Sequence, residues 1–160
     1  QEETPGINQK LIRGTSRREA LVMNRSELQQ LARLRIKEAK ILLDSGSYEG
    51  AYYLAGYAVE CALKACIAKR TKRYDFPDRK LANESYTHNL TSLVKVAGLE
   101  TALREEIESI KAFGTNWAVV KDWSEESRYR TSIPRSTAED FYSAIISRKN
   151  GVLPWLKKRW

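Results

Sequence analysis

Apolar positions recur at helical spacing along most of the chain, and no stretch alternates with period two. Leu28, Ala32, Ile36, Ala39 and Leu43 mark a first helix, opened by Ser26-Glu27-Leu28-Gln29, which matches a capping box, and closed at Ser45-Gly46-Ser47. The second, about Tyr48 to Arg70, is apolar almost all the way round between Tyr52 and Ile67, so it needs neighbours on most sides and becomes the central element. The break at Gly46 is short, so these two helices fold back as an antiparallel hairpin. Thr71 to Tyr86 is polar and holds Pro77 beside Asp75, Phe76 and Asp78, which predicts an exposed excursion without an element. Thr87-His88-Asn89-Leu90 starts a short helix that ends at Ala97-Gly98, where glycine supplies the cap. A fourth helix, about Glu100 to Lys121, carries Leu103, Ile107, Ile110, Phe113, Trp117 and Val120 on one stripe, with a kink or close helix contact expected at Gly114. Trp123 to Pro134 is a second polar connection; Ser136 or Thr137 caps a fifth helix to about Lys149, and Gly151 to Trp160 docks as a short aromatic, basic end. The expectation is an all-α, up-and-down bundle of about five helices with a short C-terminal segment, over residues 25–160, behind a flexible basic arm over residues 1–24.

Composition narrows the class. A chain of 160 residues, 42% hydrophobic and 30% charged, can bury a proper core, and no run approaches the length that spans a bilayer, so no membrane association is expected. The sequence starts at Gln1 without an initiator Met, leaving room for residues upstream, and its first 24 residues lack the apolar region of a signal peptide. Cys61 and Cys66 lie five apart on one helix, roughly 8–9 Å between Cα atoms, too far to bridge, and read as small buried hydrophobes of a cytoplasmic protein. With one His in the chain, a Cys/His zinc site within one subunit is excluded; no metal or cofactor is expected. The net charge of +8 points to acidic partners, nucleic acid first. Arg33, Lys37 and Lys40 share one face of the first helix, Lys69, Arg70, Lys72 and Arg73 follow the central one, and Lys157-Lys158-Arg159 sit near the end. Each cluster reads either as a nucleic-acid surface or as a solvated face. Trp117, Trp155 and Trp160 exceed the inner positions of so small a bundle, which argues for a homodimer.

Candidate chemistry is sparse. Gly-rich phosphate loops, HExxH, paired Cys motifs and G-x-S-x-G are absent. Glu60 and Lys64, one turn apart on the central helix, form a favourable same-face pair; on so apolar a helix it is either a structural polar network or a ligand site. His88 is the one side chain suited to proton transfer near neutrality, against a structural role capping or touching the central helix. Arg128 beside Tyr129, with Trp123 upstream, can clamp a phosphate or stack a base; an anchoring Trp and an Arg paired with Glu60 would account for them equally. The candidate catalytic pair is therefore His88 and Arg128, and the candidate ligand-binding set Glu60, Lys64, Trp123 and Tyr129.

The run Ser45 to Ala51, the core Tyr57-Ala58-Val59-Glu60-Cys61-Ala62-Leu63-Lys64-Ala65, Thr87-His88-Asn89-Leu90, the Trp123 to Tyr129 stretch and Gly151-Val152-Leu153-Pro154-Trp155-Leu156 together resemble a HEPN domain (higher eukaryotes and prokaryotes nucleotide-binding) of the small prokaryotic stand-alone type. The resemblance implies a helical bundle that dimerises, works in toxin–antitoxin, antiphage or RNA-processing systems, and often partners a minimal nucleotidyltransferase. Many members are metal-independent endoribonucleases using an Arg and a His separated by four to six residues, the two copies meeting across the dimer. Here the nearest preceding arginine, Arg79, is separated from His88 by eight residues, so that motif is missing. The resulting expectation is a nucleotide- or RNA-binding module. Its rivals are a ribonuclease with a non-standard centre built on His88 and Arg128, and a non-catalytic protein that neutralises a partner by helix packing.

Overall fold

The computed structural model describes residues 23–71 and 79–160, so the arm expected over 1–24, apart from Met23 and Asn24, lies outside the description, as do Lys72, Arg73 and Pro77. Among the described residues the protein is all-α: α1 (Arg25–Asp44), α2 (Tyr48–Arg70), α3 (Arg79–Glu84), α4 (Leu90–Val96), α5 (Glu100–Ser109), α6 (Lys111–Val120), a 3-10 helix (Glu125–Tyr129), α7 (Arg135–Ile146) and α8 (Val152–Lys157). None of these helices is long and apolar enough to cross a membrane.

α1 and α2 form the expected hairpin, and the buried face of α1 carries Leu28, Ala32 and Ala39. The capping box exists but is built two residues earlier than Ser26-Glu27-Leu28-Gln29 suggested. Asn24 Oδ1 accepts from the Glu27 N–H at 3.0 Å, and the Glu27 carboxylate accepts from the Asn24 N–H at 2.8 Å. Asn is as good an N-cap as Ser, and its partner at the third helical position is Glu27 in place of Gln29.

α2 is the hub. It packs against α1, α4, the 3-10 helix, α7 and α8, and Val59, Leu63 and Ala55 among others are fully enclosed. Neighbours on nearly every side are what its all-round apolar composition requires. α4 begins at Asn89, whose side chain accepts from the Ser92 N–H at 2.8 Å, and ends at Gly98, where φ of 69° needs a residue without a Cβ. Arg70 closes this corner by donating to the Val96 carbonyl at 2.8 Å.

Four expectations are corrected. The excursion after α2 contains an element, the single-turn-and-a-half α3. The fourth helix is two helices, broken at Ile110 (φ −129°, ψ 94°) and not at Gly114. Gly114 instead supplies a close contact, since a Cβ there would meet Ile107 Cγ2 at 3.2 Å. The change of direction throws Ile110 off the stripe, leaving it 37% exposed, while Phe113, Trp117 and Val120 stay buried. α7 starts straight after Pro134, so neither Ser136 nor Thr137 caps it, and it ends at Ile146. Finally, Trp117, Trp155 and Trp160 are all buried within one chain, with Arg25 donating to the Trp160 carbonyl at 2.6 Å. They leave no apolar surplus from which to argue a dimer.

Candidate functional site

One stripe of α2 organises the polar side chains. Tyr53, Tyr57, Glu60 and Lys64 follow at spacings of four, three and four, which places them along one helical face. The Tyr53 and Tyr57 rings are stacked with centroids 6.1 Å apart, and Glu60 and Lys64 are bonded to each other.

Glu60 is only 2% exposed, among Val59, Cys61 and Leu63. A carboxylate so buried needs partners. Its Oε1 has two: Lys64 Nζ donates to it at 2.8 Å and His88 Nδ1 lies 2.9 Å away. Oε2 has no hydrogen-bond partner among the described residues. Because a carboxylate accepts only, the imidazole donates from Nδ1, which leaves Nε2 as its other polar atom. His88 reaches α2 from the segment leading into α4, where the Thr87 hydroxyl accepts from the Asn89 N–H at 3.1 Å and Asn89 caps the helix. Local turn chemistry thus fixes the backbone that carries the ring. The His88 side chain remains 47% exposed and Lys64 is partly exposed, so the cluster has a buried anchor and a wet outer face.

The second polar connection crosses the other end of the stripe. Trp123 is 2% exposed and lies flat on Gly56, where a Cβ would come within 2.2 Å of its indole ring, and it stacks on Tyr53 at 6.1 Å. Trp123 is therefore an anchor, and its ring faces are taken up inside the chain instead of being offered to a ligand. It pins the 3-10 helix, in which the Ser124 side chain accepts from the Glu126 N–H at 3.1 Å. Arg128 and Tyr129 project from this helix, both exposed, the guanidinium 4.8 Å from the Tyr129 ring centroid. Hydrogen bonding to Tyr129, with a further contribution from Tyr53, raises the Arg128 pKa and keeps it charged. Burial, with Cys61 and Glu60 beside it, pushes the Tyr57 phenol up.

The structure thus brings Glu60, Lys64 and His88 together, and sets Arg128 near Tyr53, two turns earlier on the same stripe, with Tyr129 under the guanidinium. The alternative pairing of Arg128 with Glu60 is not made; Lys64 and His88 hold that position. On α1, Arg33 lies over the Trp160 ring at 4.8 Å and Lys40 pairs with Asp44 at 2.5 Å, so both have partners within the chain, while Lys37 is exposed. Sequence reasoning missed Gly56, Tyr53 and Tyr57, although two tyrosines four apart, continuing at helical spacing into Glu60 and Lys64, were a legible signal. No group of His, Cys, Asp and Glu suited to a metal exists among the described residues. A cleft of about 690 Å³ between α1, α2 and α7, lined by Lys40, Asp44, Tyr48, Arg135, Glu139 and Tyr142 among others, is separate from the stripe.

Comparison with known proteins gives one match. The family model described as the HEPN domain aligns with residues 26–159. No curated protein and no solved structure matches the chain.

Proposed function

We propose that this chain, which belongs to the HEPN family over residues 26–159, is a nucleotide- or RNA-binding module of a prokaryotic defence or toxin–antitoxin system. Family membership supports nucleotide- or RNA-related work in the broad sense. The observation that carries the reading to particular residues is the shared Glu60 Oε1, which holds Lys64 and His88 side by side from a buried position while their outer surfaces meet solvent. An ammonium fixed in this way is a donor for a phosphate oxygen, and the imidazole is a second one in its doubly protonated form. Glu60 acts as the positioning group, because contact with an anion falls to its two partners.

Titration with adenosine triphosphate and with a fluorescein-labelled oligouridylate at low salt tests this. Saturable binding is expected, reduced about tenfold in Lys64→Ala and in His88→Ala with the melting temperature held within a few degrees. Absence of saturable binding by the wild-type chain overturns the reading and favours a protein that acts by helix packing alone.

One observation favours a second reading. The Nδ1 contact of His88 with a buried carboxylate leaves Nε2 able to take a ribose 2′-hydroxyl proton, with Lys64 on the same carboxylate oxygen stabilising the phosphate charge; Arg128, two turns away, has no part at that phosphate. Cleavage of labelled RNA in chelator, lost in His88→Ala, is the expected sign of that chemistry. We also propose that the chain forms a homodimer and that a minimal nucleotidyltransferase is its partner protein, both on the family resemblance.

A further inference from the structure

We propose that the α2 stripe is a track for a single-stranded polynucleotide, entered by a phosphate at Lys64 and His88 and ending in a base stacked on Tyr129. The inference rests on the phosphate-binding reading above and specifies the class of ligand that the site takes. Lys64 and Tyr53 are eleven residues apart on α2, a rise of about 16 Å. That is several times the ~3.4 Å axial spacing of charges along one helical strand, so a strand laid along the stripe brings several phosphates to it.

The far end has the chemistry of a base platform. Tyr129 is 67% exposed, second among the large rings of the described residues after Tyr86, and it projects from a helix that Trp123 and Gly56 hold against α2. Arg128 covers the ring at 4.8 Å, so the ring is oriented from within the chain while most of its surface stays open. An exposed aromatic ring backed by a guanidinium accepts any base by stacking. Arg128 also has no carboxylate partner among the described ion pairs, which leaves its charge for a backbone phosphate. Between the two ends, Tyr57 lies beneath Arg35 at 5.8 Å, with that guanidinium paired to Glu38, so the available cations and the open ring stand at the two ends. Cations at one end and an open ring at the other suit a strand whose bases are unpaired. A duplex hides its base faces and offers Tyr129 nothing to stack on.

The test compares uridine monophosphate, a labelled oligouridylate several nucleotides long, and the same strand annealed to oligoadenylate, on the full chain at fixed low salt. The oligomer is expected to bind at least about tenfold more tightly than the monophosphate and than the duplex. Tyr129→Ala is expected to lower oligomer affinity about tenfold, the usual scale for loss of one stacked base, and leave monophosphate affinity unchanged; Tyr129→Phe restores it. Lys64→Ala weakens both ligands. Oligomer affinity unchanged in Tyr129→Ala, or a duplex bound as tightly as the strand, overturns the track. A Lys64-dependent monophosphate site without any gain from length overturns it while sparing the phosphate-binding reading. No binding of any ligand overturns both.

Discussion

Glu60 is a carboxylate that burial penalises, and its two neighbours, Lys64 and His88, are only partly buried. This asymmetry decides what removing it does. Breaking a fully buried ion pair costs 3–5 kcal/mol because the survivor stays desolvated. Here Lys64 and the imidazole can turn to water, so the loss in Glu60→Ala reduces mainly to the vacated volume, about 1–2 kcal/mol, read from urea unfolding. Glu60→Gln keeps the volume and is expected to unfold within about 1 kcal/mol of wild type, yet to lose nucleotide affinity, because a neutral amide holds His88 and Lys64 less firmly. The two thiols make a second residue-scale prediction. Burial raises Cys61 from 9.0 to about 12 and Cys66 from 9.0 to about 11. The folded state therefore holds these protons more tightly than the unfolded chain does. Their contribution to stability is full below pH 9 and is lost as pH climbs through the window between 9 and 12, so unfolding free energy measured from about pH 8 to about pH 11 should fall. Below that window both thiols should resist alkylation in the native protein.

At the scale of elements, the contact between α2 and the 3-10 helix depends on Gly56 lacking a side chain. A methyl at that position would lie 2.2 Å from the Trp123 indole, which is enclosed and cannot yield as the end of a flexible chain would. Gly56→Ala is expected to cost about 1–3 kcal/mol by overpacking, despite the better helix propensity of alanine. Displacing Trp123 also shifts Arg128 and Tyr129, so the variant should change tryptophan fluorescence and weaken oligonucleotide binding together. The break at Ile110 obeys a different logic. α5 and α6 each bury an apolar face, and one straight helix would hold Leu103 and Trp117 to a single line; the extended residue between them lets α6 turn to pack on α7.

The whole molecule sets the long-range electrostatics. A net charge of +8 attracts any polyanion, and counterion release makes that part of binding steeply salt-dependent and indifferent to sequence. Reversing Arg33, Lys37 and Lys40 to Glu should weaken oligonucleotide binding through this field, and it should flatten the salt dependence. Because Arg33 covers Trp160 and Lys40 holds Asp44, the triple variant is also expected to lose some stability, and its melting temperature separates that loss from the electrostatic one. The proposed homodimer finds its surface argument in Leu34 and Ile41, exposed apolar residues two turns apart on α1, and not in the buried tryptophans. Light scattering at micromolar concentration should return about twice the 18.4 kDa chain mass, and a single-chain mass across that range removes the dimer.

The features legible in the sequence are those fixed by contacts within a few residues. Helical spacing in α1 and α2, the Gly98 stop after α4, and the Glu60–Lys64 pair follow from geometry that repeats every turn, so the all-α class and the central helix could be read directly. Tertiary packing alone decided which loop reaches which turn of α2. His88 finds Glu60 twenty-eight residues back in the chain, and Trp123 finds Gly56, because neighbours crowd α2 and the polar connections must cross whatever surface is left. Loops carry no periodicity from which such a crossing could be deduced. For the same reason Arg128 lies near Tyr53 and not at Glu60: the packing of Trp123 on Gly56 holds its helix over that end of α2.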